Sequence, residues 1–367
     1  MDTLRNSCEF NFSIICLFSL FILWALPVTG QNLKESSSEN SADRIEGNIK
    51  FLPIPYINYD RSLGYQIGAA PAILFNPVKK DTLSPSSIAG VMGIYSENKT
   101  WFAMAFLNMH LNEDNWRFTA AGGVGSYHFQ FFLDTPINSW IPYNTKLDFI
   151  FAQIQHRIVE KLYAGISLIH MSLKTETNFF EFESNTKLNG LGLLVSLDQR
   201  SSTRYPLNGL KADVKLFTYP EFLDNKNTSN KIEIAFNNFI PIRKQNDVLA
   251  GRIYAGLGLG DLNFNQQLIV GRKDIRGYTQ GGYRGNYLLA VQSEYRWNFS
   301  QRWGTVYFLG LATVFKAVNK DDNGKLLPGL GTGIRYAIDT ETRLNAGIDI
   351  AAGVDDWGVY FRIGEAF

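Results

Sequence analysis

From residue 49 onward the sequence alternates with period two, in segments of about 9–11 residues, the length of a tilted strand that crosses a bilayer. In one segment Leu210, Ala212, Val214 and Leu216 take one face, and Lys211, Asp213 and Lys215 take the other. Gly251, Ile253, Ala255, Leu257 and Leu259 are likewise opposed by Arg252, Tyr254, Gly256 and Gly258. Leu344, Ala346, Ile348 and Ile350 read as an outward set against Asn345, Gly347 and Asp349. Val359, Phe361 and Ile363 oppose Tyr360 and Arg362. Helical spacing would mix these sets, whereas a strand separates them. A soluble β-sandwich or β-helix with one wetted face would alternate too. Segment length and the clustering of Tyr, Trp and Phe near segment ends favour a membrane barrel with interfacial aromatic girdles. Beyond the N-terminus no stretch is continuously apolar for about 18 residues, so helical spans are not expected.

Turn signals divide this region into sixteen expected strands, an even number as single-chain bacterial barrels have. They are 49–60, 63–75, 88–95, 100–111, 116–132, 145–157, 161–177, 187–199, 209–219, 231–242, 248–262, 286–297, 303–315, 327–337, 342–353 and 358–367. The expected fold is all-β: a single transmembrane antiparallel β-barrel over 49–367. With both termini periplasmic, the short connections at 112–115, 159–160 and 339–341 fall on the periplasmic side. The longest connection, after Leu262, falls outside.

The N-terminus reads as a secretory signal over residues 1–30. Arg5 gives a positive start, 12–26 is apolar except for Ser13 and Ser19, and Pro27-Val28-Thr29-Gly30 offers a cleavage region. The apolar run is short for a membrane-anchoring helix, which favours cleavage. Ile15 before Cys16 argues against a lipoprotein. Both cysteines, Cys8 and Cys16, fall inside the signal, so the mature chain would have no disulfide or thiolate chemistry. Residues 31–48 are polar and read as a flexible lead.

A net charge of +1 gives no basic field for nucleic acid. His110, His128, His156 and His170 are isolated, and no HExxH or Gly-x-Ser-x-Gly occurs. No catalytic residue, cofactor or metal is expected, although an enzyme site assembled from distant strands stays open as an alternative. Gly256, Gly258 and Gly260 lack the strand-to-helix setting of a nucleotide loop and read as lumen-facing glycines.

In the connection after Leu262 stands Ile275-Arg276-Gly277-Tyr278, preceded by Gly271-Arg272-Lys273-Asp274 and followed by Tyr283-Arg284-Gly285-Asn286 and a strand ending Glu294-Tyr295-Arg296. Upstream, Asp198-Gln199-Arg200 leads through Pro206 to Gly209 at a periplasmic turn. This ordered set resembles barrels of the Omp85 superfamily, the bacterial surface antigen D15 group. The resemblance is clearest from about Asp198 to Phe367. The C-terminal run through Tyr360 and Phe361 to Phe367 is similar to the terminal signal by which outer-membrane barrels are recognised for insertion.

The resemblance implies that loop six folds into the barrel and carries Arg276 into the lumen. By strand parity Glu294 faces inward with Gln292 and Arg296, while Val291, Tyr295 and Trp297 face lipid, which makes Glu294 the natural partner of Arg276. The family often has a second acid on the next strand. Gly310 stands there instead, leaving one anchor fewer or another lumen acid such as Asp349. The chain leaves no room for the periplasmic POTRA domains of the family's assembly factors and reads as a barrel-only branch. Pro53, Pro55, Gly358 and Gly364 would mark the seam between first and last strands. The two prolines either remove ladder bonds there or simply precede regular pairing.

The expected function is insertion or translocation of protein or lipid at the outer membrane. A passive pore or structural barrel is the alternative, and a barrel enzyme a further one. Expected partners are the bilayer, the insertion machinery during biogenesis, an unfolded protein or lipid substrate, and periplasmic accessory proteins.

Overall fold

The alternating segments pair into one antiparallel sheet that returns on itself. The computed structural model describes residues 45, 49–60, 63–177, 179, 182–243, 246–271, 274–340 and 343–367. The expected signal over 1–30 and, apart from Ile45, the polar segment 31–48 lie outside the described residues, as do Arg272 and Lys273 of loop six.

Sixteen barrel strands are present among the described residues. Strand β1 runs Ile49–Leu52 and Pro55–Asp60, and β2 runs Gly64–Ala69 and Ala72–Phe75. Then come β3 (Ser87–Ser96), β4 (Trp101–Leu111), β5 (Trp116–Leu133), β6 (Ser139–Val159), β7 (Leu162–Thr177) and β8 (Phe182–Asp198). They are followed by β9 (Gly209–Tyr219), β10 (Ser229–Arg243), β11 (Asp247–Gly260) and β12 (Arg284–Asn298). The last are β13 (Trp303–Ala317), β14 (Leu327–Asp339), β15 (Leu344–Ala352) and β16 (Trp357–Ile363). Each pairs with its chain neighbour, and the pair Tyr59–Val359 joins β16 to β1. The breaks in β1 and β2 fall at Pro53–Ile54 and Ala70–Pro71, where a proline lacks the N–H a ladder needs. The hairpin continues past both, with Ile49 opposite Phe75 and Leu52 opposite Ala72.

Parity sorts the side chains. Ile67, Ile150, Leu193, Leu330, Ile348 and Ile350 are exposed on the outer face, as lipid-facing positions should be, while Gln292, Glu294 and Arg296 are buried on the inner face. Trp101, Trp116, Trp303 and Trp357 each open a strand and are partly exposed, the placement of interfacial anchors.

Three expectations are corrected. Strand β6 begins at Ser139 rather than 145: Pro142 and Asn144 resemble turn residues, yet they pair with Gln130 and His128 in a long β5–β6 hairpin. Leu344 is buried rather than outward, packed with Leu52, Ile54 and Leu74. The last strand stops at Ile363 and does not reach Phe367.

Candidate functional site at loop six and the barrel seam

Residues 261–283 connect β11 to β12 and turn inward. Leu268–Ile269 adds a short strand beside β12, and Val270 N–H donates to Tyr283 O at 3.0 Å. Leu268, Val270, Ile275 and Tyr278 then bury against Leu288, Ala290, Ala312 and Leu327 on the inner wall. Hydrophobic burial thus holds the loop along β12–β14, which is where its polar residues must find partners.

Arg276 lies only 5% exposed. It donates to Glu294 Oε2 at 2.7 Å and to Asp349 Oδ2 at 2.6 Å, and its guanidinium sits 3.3 Å from the centroid of the Phe308 ring. Glu294 also accepts from Arg296 Nε at 2.9 Å. Asp349 also accepts from Arg335 and from Arg362 Nε at 2.8 Å. Arg335 Nε reaches Glu365 at 3.0 Å. Three carboxylates and four guanidiniums therefore form one buried network, in which no charge is left without an opposite. Gly310 contributes nothing to it; the second acid on Arg276 comes instead from Asp349 on β15.

Gly277 follows with φ +101°, and a Cβ there would stand 2.6 Å from the Ala352 carbonyl carbon. Glycine is required on both counts. The close approach lets Gly277 N–H donate to Tyr360 Oη at 2.9 Å, and Tyr278 Oη donates to Pro328 O at 2.6 Å. Loop six is thereby tied to β14, β15 and β16 together.

The Asp198 turn forms a separate cluster. Asp198 accepts from Arg200 at 2.8 Å and from Arg117 at 2.9 Å. Arg117 also holds Asp114 at 2.6 Å, and Asp114 accepts from Tyr163 Oη at 2.7 Å. Burial works against the charge on Asp114, but hydrogen bonds from His110 and Arg117 hold its carboxyl well below the usual carboxylate range. Pro206 is buried in the turn, and Gly209 opens β9 against the Gln199 carbonyl. Arg117, Asp114 and Tyr163 were not anticipated. The signal available was Arg117 three residues beyond Asp114, on the inward parity of β5.

At the seam, Ala70 N–H donates to Ile54 O at 2.7 Å, so Ile54 turns its carbonyl to β2. Burial alternates unbroken from Phe51 to Ile57, which marks extended backbone. Neighbours in an extended strand turn their backbone groups to opposite sides, so the nitrogens of Pro53 and Pro55 turn away from β2. In the register of Tyr59 and Val359, Pro55 falls opposite Ile363, the last residue of β16, and Pro53 opposite Glu365, which has left the strand. Neither carries a proton. Among the described residues the pair Tyr59–Val359 is the one β1–β16 rung. The rings of Tyr59 and Trp357 stack at 5.8 Å, and those of Tyr56 and Phe361 meet at 6.0 Å. On β16, Gly358 lies on the inner face beside Tyr360.

Gly364, with φ +80°, ends β16 and donates to Asn345 O at 2.7 Å. The chain then turns into the lumen. Glu365 joins the ion network, and Phe367 packs against Tyr205, Phe239, Val248 and Ala250. The expected continuous terminal strand through Tyr360, Phe361 and Phe367 is thus broken: Phe367 leaves the strand and lies inside.

The sequence matches the Omp85 superfamily domain over residues 29–367. The chain is a member of the Omp85 superfamily. This Omp85 barrel is similar in fold to BamA from Haemophilus ducreyi lacking POTRA domains 1–3, with TM-score 0.58, 12% identity, and coverage of 87% of this chain and 70% of that one. It is similar also to CdiB from Escherichia coli (TM-score 0.58, 11% identity, 89% of this chain and 68% of that one). CdiB from Acinetobacter baumannii gives TM-score 0.57 at 11% identity, and the chain spans 60% of its length and 87% of its own. No curated protein matches the sequence. Family barrels are outer-membrane proteins, and the exposed apolar outer face of this one agrees with that setting.

Proposed function

We propose that this Omp85 barrel inserts or translocates proteins or lipids at the outer membrane, without enzymatic chemistry, by opening laterally between β1 and β16. The reading rests on the sparse seam: one paired couple, with the proline nitrogen of Pro55 facing the end of β16. An amide–carbonyl bond contributes about 0.5–1.5 kcal/mol net, so a seam short of several bonds is the cheapest place to part the wall. Loop six serves as an internal brace. Clamped by Arg276, it keeps β12–β15 rigid while the seam moves. The N-terminal signal, cleaved on export, and a terminal recognition element over Tyr360 and Phe361 complete this reading, with insertion machinery and periplasmic accessory proteins as partners. Depletion of the protein followed by an inventory of outer-membrane proteins and lipids is the test. A specific deficit supports the reading, and an unchanged inventory removes it.

The buried Arg276 clamp also favours a second reading, a plugged pore with loop six as a permanent stopper. Single-channel conductance separates the two. A pore that conducts only after loop six is deleted, in a cell whose outer membrane does not change on depletion, supports the stopper.

A further inference from the structure

We propose that the terminal end of the lumen holds a binding site for a phosphate group. A cavity of about 250 Å³ opens there between the turns before β11, between β12 and β13, and between β14 and β15. Arg302, Arg335 and Arg343 line it, with Asn246, Asn298 and Asn345 among the other lining residues. No carboxylate is among the described residues that line it.

The three cations are not equally free. Arg335 is 3% exposed and directs Nε and one terminal nitrogen to Glu365 and Asp349. Its remaining terminal nitrogen is buried and has no hydrogen-bond partner. Leaving a buried guanidinium nitrogen unsatisfied is costly, so an acceptor that met it after a small shift of the side chain towards the cavity would be favoured. Arg302 makes one long contact, 3.4 Å to Ala337 O, and forms no ion pair with a described residue. Arg343 forms none either.

Phosphate fits this set better than a carboxylate does. A carboxylate is planar and offers its acceptor sites in one plane. A tetrahedral oxyanion offers oxygens in several directions, as three arginines from two turns and strand β14 require. The Asn298 amide already donates to Tyr205 Oη and Asn246 O, which leaves Asn246 and the second amide proton of Asn345 to donate to the oxygens that remain. The group could belong to a lipid headgroup or to a free phosphate, and the experiment must tell them apart.

The full chain, refolded in zwitterionic detergent, is titrated calorimetrically with inorganic phosphate. In parallel it is placed in nanodiscs of phosphatidylglycerol or of a neutral phosphate-free glycolipid, and retained lipid is counted by native mass spectrometry. The variant Arg302→Gln/Arg343→Gln is compared with wild type and with Arg243→Gln, whose arginine pairs with Asp247. At least tenfold weaker binding of phosphate in the double variant alone, about 1.4 kcal/mol, supports the site with a soluble ligand. The same loss confined to retained phosphatidylglycerol supports it with a lipid ligand. Equal binding in all three proteins, or none in wild type in either arm, overturns the proposal. Should the double variant fail to show the heat-modifiable migration of a folded barrel, Arg343→Gln alone is read by the same criteria.

Discussion

Arg276 and Asp349 are 73 residues apart in sequence, and a hydrogen bond of 2.6 Å joins them inside the barrel. Loop six is held by this bond as firmly as by the one to Glu294, and the two bonds tie the loop to strands on either side of β13 and β14.

Arg276→Ala is expected to release loop six while the strand ladder stays intact. Removing one partner from a buried network costs about 3–5 kcal/mol, and less where water reaches the site. Arg276→Lys should restore only part of the loss, because one ammonium cannot span two carboxylates as a planar guanidinium does. Glu294→Gln should be milder than Arg276→Ala, since Asp349 still holds the loop. Protease protection of residues 274–283, read against heat-modifiable migration of the whole barrel, checks all three. Equal protection in Arg276→Ala and wild type would count against the clamp.

Tyr59 and Val359 form the seam rung. With Tyr59 turned to β16 they are a hydrogen-bonded pair, for which Cα atoms stand about 5.5 Å apart, within disulfide range. Tyr59→Cys/Val359→Cys should crosslink under mild oxidation, and the oxidised form should lose activity that reductant restores. Full activity with the seam locked would falsify lateral opening.

Restoring the missing donor of Pro55 should have the opposite character from a lock. Pro55→Val returns one N–H facing Ile363 at the end of β16, and the new bond is worth about 0.5–1.5 kcal/mol. Amide exchange across β16 should slow, and the thermal midpoint should rise. Unchanged exchange would mean that this nitrogen does not look across the seam.

Tyr205 predicts an alkaline effect. Burial, then the charge of Glu365, pushes its phenol up to about 12 from an ordinary 10.0. A raised acid pKa favours the neutral form in the fold. Stability is therefore complete below pH 10 and falls as pH rises from 10 towards 12, by roughly 2–3 kcal/mol at most. Tyr205→Phe should forfeit the hydrogen bond from Asn298 at all pH values yet flatten this alkaline decline. The migration midpoint measured from pH 8 to 12 decides it.

The strand rhythm was legible because one face meets lipid and the other meets the lumen, so each strand declares itself locally. The inward placement of Glu294 came from the same parity. What parity could not give was distance around the wall. Asp349 stood in an inward set, but only closure of the sheet brings β15 opposite loop six. Arg117 and Asp198 are hidden for the same reason: two strands, β6 and β7, lie between theirs in the chain, and the shared inner face unites them. Phe367 was misread because its aromatic character fits a strand end as well as a lumen plug. The decisive residue was Gly364, whose φ of +80° no alternation pattern records.

Wall height is uneven around the ring. Strands β5 and β6 are 18 and 21 residues long, whereas β15 and β16 have 9 and 7. A tilted strand needs about 9–11 residues to cross hydrocarbon. The tall side stands clear of the bilayer, whereas β15 only just reaches across it and β16 falls short. Lipid next to β16 must then compress to meet a narrow apolar belt, at a cost of fractions of a kcal/mol per ångström of mismatch. On the proposed lateral opening, the bilayer is thinnest where the wall parts, so the membrane and the protein would yield at the same place.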